Sequence, residues 1–226
     1  MIDIQQLTIA YDDKIVIDGL NLSLETGLVH GLVGLNGAGK TTFLDTLFGF
    51  KKQLSGTIFY DKKPLTRLDV AYLEAENFFY SNITGLDYLQ LFSNDLADLP
   101  TWNELLQLPL GELVEYYSTG MKKKLALLAI LKLNRNILIL DEPFNGLDIE
   151  TTELVKKIIK ILRGQGKTIL LTSHVFEIIM HVSDKVHLLE RGTITTSVEK
   201  PQFDDFYITL KEKIDKNQDS ILDRIF

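Results

Sequence analysis

The sequence predicts an α/β fold in which a mostly parallel sheet is covered by helices on both faces, beside a small antiparallel β subdomain and an inserted α-helical subdomain. Three observations carry this reading. Short apolar runs that read as buried strands, Leu28 to Val33, Ile137 to Leu140, Thr168 to Thr172 and Val186 to Leu189, alternate with helical stretches. The segment from Ile2 to Leu24 alternates in β fashion instead, which implies a second, antiparallel sheet. Finally, the glycine-rich stretch Gly34 to Thr42 joins a strand to a helix in the spacing G-x-x-x-x-G-K-[ST].

Taken in order, Ile2, Ile4 and Leu7 to Ile9 mark the first strand and Ile15 to Leu24 the second, and Glu25-Thr26-Gly27 turns the chain into Leu28 to Val33. Thr42 to Phe50 reads as a helix with Phe43, Leu44 and Leu47 on one side. Ser55-Gly56 turns into a strand from Thr57 to Tyr60, and Asp61-Lys62-Lys63-Pro64 closes a hairpin-like unit. From about Gly85 to Glu115 the spacing of Leu86, Leu89, Leu91, Leu105, Leu106 and Leu113 is helical, with Pro100 and Pro109 breaking it into short pieces. Leu125 to Leu131 reads as an apolar helix, and Glu153 to Leu162 as an amphipathic one stopped by Gly164-Gln165-Gly166. The tail from Glu199 to Phe226 carries Phe206, Ile208, Leu210, Ile214, Ile221 and Leu222 among charges, the pattern of a surface-docked or frayed helix or, alternatively, of a partner-binding element.

Composition narrows the function. With 226 residues, 45% of them hydrophobic, the chain has ample material for a packed core. A net charge of -7 argues against a general nucleic-acid partner, because neutralising a duplex backbone needs a basic face. The absence of cysteine excludes a disulfide framework and a thiolate metal site, and Met-Ile-Asp-Ile-Gln-Gln lacks the plan of a secretory signal, so a cytosolic setting is expected. The richest apolar run, Leu125 to Leu133, is interrupted by Lys132 and is far short of the roughly eighteen residues of a spanning helix.

The glycine-rich stretch suits a polyphosphate. Successive backbone N–H groups across Asn36, Gly37, Ala38 and Gly39 turn inward, the helix that opens near Lys40, Thr41 and Thr42 adds positive potential, and Lys40 reaches the β- and γ-phosphates. Thr41 would ligate Mg²⁺. The strand Ile137 to Leu140 ends in two carboxylates, and alternation along a strand sends Asp141 and Glu142 to different targets. Asp141 is assigned to Mg²⁺, through a water, and Glu142 to the water that attacks the γ-phosphate. Together they describe a P-loop NTPase core.

These residues resemble one family, the ATP-binding-cassette ATPases that drive ABC transporters, over roughly Ile2 to Ser197. Tyr117-Ser118-Thr119-Gly120-Met121, followed by Lys122-Lys123-Lys124-Leu125, is similar to the family's signature motif, usually Leu-Ser-Gly-Gly-Gln. Ser118 suits a helix N-cap, and three lysines in the first turn of a helix are unfavourable beside its positive end unless an anion binds there. The resemblance supplies that anion: Ser118, Thr119 and Gly120 of one subunit would contact the γ-phosphate held by the phosphate loop of another, so that two ATP molecules are sandwiched. It also implies that Tyr11 stacks on adenine, that Asn145-Gly146-Leu147-Asp148 carries a signal between the two ATP sites, and that His174 is the switch histidine on the γ-phosphate. Asp148 suits a helix N-cap as well. His30, His181 and His187 receive no role beyond packing or surface.

The resemblance is incomplete at one point. Where the family has a glutamine after a strand, aligning Val70 to Leu73 puts Ala75, flanked by Glu74 and Glu76, and Glu76 is the candidate to reach the metal in its place. The segment from Ala75 to the signature is shorter than usual, so the helical subdomain is expected to be reduced. The resemblance implies a cassette over 1–198 with the helical lobe inserted at about 76–132, a tail over 199–226, ATP and Mg²⁺ as ligands, and a second cassette subunit, identical or different, joining on ATP binding. It further implies a separate transmembrane subunit and a cytoplasmic protein peripheral on the inner face of the cell membrane. The wording around Tyr72 to Leu89 and Tyr117 to Leu125 looks most like bacterial export-type systems. The alternatives are a soluble cassette serving a non-transport complex, such as iron–sulfur assembly, and a degenerate regulatory cassette, which Ala75 suggests and which Glu142 and His174 argue against.

Overall fold

Alternation in the opening segment produces strands β1 (Ile2–Tyr11) and β2 (Lys14–Leu24), paired antiparallel with Ile2 opposite Leu24 and Tyr11 opposite Lys14. In the computed structural model, residues 1–222 are described, with side chains through residue 215. Ile4, Leu7 and Ile9 stay on one buried face although Ile4 and Leu7 are three residues apart, because the register shifts between them and Gln6 sits at φ 48. Strand β4 (Ser55–Tyr60) pairs with the other edge of β1, and β5 (Lys63–Pro64) closes a sheet ordered β2-β1-β4-β5.

The apolar runs become β3 (Val29–Val33), β6 (Val70–Leu73), β7 (Ile137–Leu140), β8 (Thr168–Thr172) and β9 (Lys185–Glu190), all parallel to one another. A last strand, β10 (Thr193–Glu199), pairs antiparallel with β9, giving the order β10-β9-β3-β8-β7-β6. Alternate side chains serve opposite faces. Ile137 and Ile139 join Phe43, Leu44 and Leu47 of helix α1 (Lys40–Phe48) in the core shared with β1 and β2, whereas Leu138 and Leu140 pack on the far side.

The lobe holds α2 (Gly85–Gln90) and α3 (Leu99–Leu106), and α4 (Thr119–Lys132) ties it to the sheet. Ala126, Leu127 and Ile130 of α4 face the sheet core, and Leu125, Leu128 and Ala129 face the lobe core. Helix α5 (Ile149–Gly164) covers the same side of the sheet through Val155 and Ile159. Two departures from the sequence pattern are physical. Pro100 opens α3 instead of breaking a helix, since the first turn needs no N–H from it, and Leu86, Leu91 and Leu105 are exposed while Leu89 and Leu106 carry the lobe core.

Two elements escaped the periodicity, α6 (Phe176–Val182) and β10. β10 is set up by Arg191 and Gly192 at φ 49 and φ 80, the paired left-handed residues of a tight hairpin turn. Histidines 30 and 187 are core residues: both are buried, their rings stack at 5.3 Å, and His30 Nδ1 and His187 Nε2 share a hydrogen bond of 3.1 Å. Burial holds the His187 imidazole down to about 4. The tail forms α7 (Phe203–Leu222), which buries Phe203 and sets Phe206 and Leu210 against the sheet core. The Tyr207 ring stacks on Phe176 at 4.9 Å and its hydroxyl donates to Glu177 at 2.8 Å. The side chains of Ile221 and Leu222, and residues 223–226, lie outside the described residues. Among the described residues no helix is long and apolar enough to cross a membrane.

Candidate functional site

In an open parallel sheet the crevice beyond the carboxyl ends of the strands is where a ligand meets loops and helix N-termini together. Here β3, β6, β7 and β8 end at one cavity of about 430 Å³, lined by Asn36, Gly37, Gly39, Lys40, Thr41 and Thr42 after β3, Ala75 after β6, Asp141 and Glu142 after β7, and His174 after β8, with Val16 from the small sheet. A larger groove of about 600 Å³ in the helical lobe is lined by Leu86, Leu96, Leu99 and their neighbours and has no ionisable side chain, so it offers no comparable chemistry.

The loop after β3 needs its glycines. A Cβ on Gly34 would stand 2.4 Å from the Leu189 carbonyl oxygen of β9, and Gly39 takes φ 102 immediately before α1. The first turn of α1 carries no acidic residue, leaving its N-terminal N–H groups and positive potential directed at the cavity. Lys40 Nζ donates to the Gly34 carbonyl at 2.7 Å. Burial lowers its pKa, and the nearby Glu142 and Asp141 charges oppose that shift. Ala38 lies outside the cavity lining and packs its methyl against the core.

The two carboxylates are placed by the strand between them and the loop. Because β8 lies between β3 and β7, its last residue, Thr172, stands beside the end of β7. Asp141, 2% exposed, accepts from the Thr41 hydroxyl at 2.9 Å and from the Thr172 hydroxyl at 2.5 Å. The Glu142 N–H in turn donates to the Thr172 oxygen at 3.0 Å. Glu142 adopts φ 50, a left-handed conformation that costs a side-chain-bearing residue of order 1–3 kcal/mol and aims successive carboxylates apart. One Glu142 oxygen accepts from the His174 N–H at 3.1 Å; the other lies 3.4 Å from His174 Nε2 and is buried without a hydrogen-bond partner. The His174 ring itself is exposed.

Thr172 is a site residue that sequence reasoning missed, and its one signal was a hydroxyl directly after the apolar run Ile169 to Leu171. Thr172→Val keeps the volume but strands the Glu142 N–H and one Asp141 oxygen, so it should cost about 1–3 kcal/mol of stability. Urea unfolding monitored by circular dichroism checks this, and an unchanged midpoint would show the hydroxyl to be dispensable.

The remaining candidates lie around this centre. Tyr11 ends β1, 45% exposed and outside the cavity lining, with Lys51 Nζ 3.8 Å above its ring. Ser118 caps α4, its oxygen accepting from the Met121 N–H at 3.2 Å, and Thr119 and Gly120 abut Gly146, since a Cβ on Gly120 would meet the Gly146 carbonyl at 3.2 Å. Asp148 caps α5 by accepting from the Thr151 N–H at 2.7 Å, a bond that holds its carboxyl below the usual range. The expectation of three lysines crowding the α4 terminus is corrected. Lys123 turns inward to the Glu74 and Ala75 carbonyls and Lys124 donates to the Leu106 carbonyl, so both ammonium groups are engaged away from the helix end.

Glu76, the candidate to reach the metal, has an exposed side chain outside the cavity lining, where Ala75 stands instead. Titrating Mg²⁺ against turnover should therefore give superimposable curves for the parent and Glu76→Ala. Ala75→Gln, which adds an oxygen donor to the cavity wall, should shift the curve to lower Mg²⁺ or change the plateau. A shift in Glu76→Ala to higher Mg²⁺ would assign Glu76 to the metal.

A family model described as ABC transporter matches residues 17–145. The chain is 29% identical over 211 residues to the lantibiotic transport ATP-binding protein SrtF of Streptococcus pyogenes, a match covering 88% of this chain and 91% of that one. It is 33% identical over 215 residues to the Nod factor export ATP-binding protein I of Burkholderia thailandensis, covering 84% and 68% respectively. The fold superposes on the dimeric post-hydrolysis state of the ATP-binding cassette MJ0796 bound to ADP and Pi with a TM-score of 0.79 at 18% identity, covering 88% of this chain and 99% of that one.

Proposed function

Because the chain belongs to the ABC transporter family as an ATP-binding subunit, we propose that it hydrolyses ATP to power a bacterial export-type system through a separate transmembrane subunit. The observation that carries the hydrolytic part is the meeting of Asp141, Glu142, Thr172 and His174 with the glycine-rich loop at one set of strand ends.

In this reading the backbone amides from Asn36 to Thr42 receive the phosphate oxygens, and Lys40 exchanges the Gly34 carbonyl for the β- and γ-phosphates. The Thr41 hydroxyl and the Asp141 carboxylate are hard oxygen donors 2.9 Å apart, a donor set that fits Mg²⁺. Bound there, the ion would neutralise charge on the β- and γ-phosphates. Glu142 orients the attacking water with its unpartnered oxygen. As the water oxygen bonds to the γ-phosphorus, a water proton passes to the Glu142 carboxylate, the bond to the bridging oxygen breaks and ADP leaves with the electron pair. His174, held against Glu142, is the contact for the γ-phosphate oxygens, and Tyr11 is the platform for adenine. Residues 1–198 act as the cassette and 199–226 as its tail.

Ser118, Thr119 and Gly120 of a second cassette complete the site, with the loop to Asp148 beside them. A relative named for lantibiotic transport supports the transport role, and one named for Nod factor export supports the export direction. Affinity purification from native membranes tests the partner. A stoichiometric multispanning protein is expected, with this chain released from the inner membrane face when that partner is removed; a purely soluble complex would overturn the transport reading in favour of a cassette serving another assembly.

A further inference from the structure

Lys123 is a buried charge that the proposed chemistry does not use. It sits on α4, one turn in from Ser118, and is 4% exposed. Its ammonium donates to the Glu74 carbonyl at 3.1 Å and the Ala75 carbonyl at 3.0 Å, the two residues that follow β6. Lysine is rarely this buried unless its charge is engaged, and an apolar residue would fill the same volume without the desolvation. Burial lowers its pKa to about 8, and the Asp141 and Glu142 carboxylates favour its charged form. The two carbonyls thus take two of its three N–H donors, on a wall of the nucleotide cavity where Ala75 has no polar side chain of its own.

We propose that Lys123 is a positioning residue that locks the Ser118–Gly120 end of α4 in register with the Glu74–Ala75 wall of the cavity, so that the surface offered to a second cassette is matched to the cassette's own nucleotide. The inference rests on the ATP sandwich proposed above. Helix α4 is held at its N-terminal end by contact with Gly146 and, along its length, by the sheet and lobe cores. Lys123 is the polar tie between that end and the cavity. Without it α4 keeps its apolar packing but loses the link that sets its position relative to the loop after β6.

The test uses the full chain carrying Glu142→Gln, with ATP and Mg²⁺, and measures the dimer dissociation constant by analytical ultracentrifugation and ATP affinity of the monomer by fluorescence titration at low protein concentration. Adding Lys123→Met, which keeps the aliphatic stem, should weaken the dimer about ten- to a hundredfold, the effect of losing charge-assisted hydrogen bonds. Monomer affinity for ATP should stay within about twofold, since no phosphate contact is removed. Lys123→Gln, which keeps N–H donors on a shorter stem, should fall between parent and Lys123→Met, and it carries the comparison if Lys123→Met misfolds. An unchanged dimer constant in either folded variant would overturn the proposal. So would equal losses of ATP affinity and dimerisation, which would make Lys123 a support of the fold only. Failure of the Glu142→Gln parent to dimerise would refute the sandwich itself and this inference with it, an outcome told apart by the parent control.

Discussion

Glu142→Gln should bind ATP as tightly as the parent and turn it over about 10²–10⁴-fold more slowly, a barrier increase of roughly 3–5 kcal/mol. The amide preserves the shape of the side chain and can still accept the His174 N–H that holds Glu142 at 3.1 Å. What it loses is the negative charge and basicity of the carboxylate, one oxygen of which has no hydrogen-bond partner among the described residues. The phosphate contacts proposed for the loop after β3 and for Lys40 would be untouched. Lys40→Ala is the complementary defect: it removes the cation from the β- and γ-phosphates and should weaken ATP binding itself. Separate measurements of ATP affinity and single-turnover hydrolysis distinguish the two. Turnover at the parent rate in Glu142→Gln would mean that another group handles the water.

Glu142→Gln with ATP and Mg²⁺ should run as a dimer on sizing with light scattering, whereas the parent without nucleotide should run as a monomer at moderate concentration. Ser118→Arg should abolish that shift. Ser118 is exposed at the start of α4, beside the first N–H groups of the helix, and in the proposed sandwich an arginine there would fill the space of a second copy's γ-phosphate. Loss of the cap alone costs about 1 kcal/mol of helix stability, and Ser118→Ala, which loses the cap and the hydroxyl without adding bulk, should weaken the dimer less than Ser118→Arg. The surface around the site has some apolar character: Leu35 is 56% exposed beside Asn36, Val175 48% beside His174, and Ile149 85% beside Asp148. These side chains are single and scattered, too few to hold a dimer without nucleotide, so dimerisation tracks ATP. A dimer insensitive to both nucleotide and Ser118→Arg would sink the sandwich.

Much of this was legible in the chain because the signals are local. The glycine spacing of Gly34 to Thr42, the apolar strand ending in Asp141 and Glu142, and the continuous burial of β3, β7 and β8 depend on residues adjacent in sequence, where backbone geometry and side-chain alternation determine the outcome. The starts of two helices were legible from their caps rather than from their apolar faces. Helix α4 begins at Thr119 and α5 at Ile149 because Ser118 and Asp148 cap them, several residues before their apolar faces begin.

What only the tertiary structure decided depends on strand order, which no local pattern encodes. By itself the sequence determined the class of fold, the phosphate-binding turn and the carboxylate pair. Only the insertion of β8 between β3 and β7 brings Thr172 to Asp141 and to the Glu142 N–H, residues about thirty positions apart in the chain. Only the packing of α4 against β6 turns Lys123 away from its helix terminus to the Glu74 and Ala75 carbonyls, and leaves Glu76, a neighbour in sequence, in solvent. A side chain's type is written in the sequence, but its charge, partners and exposure are set by the elements packed across from it, and those are fixed by long-range burial and hydrogen bonding rather than by its neighbours along the chain.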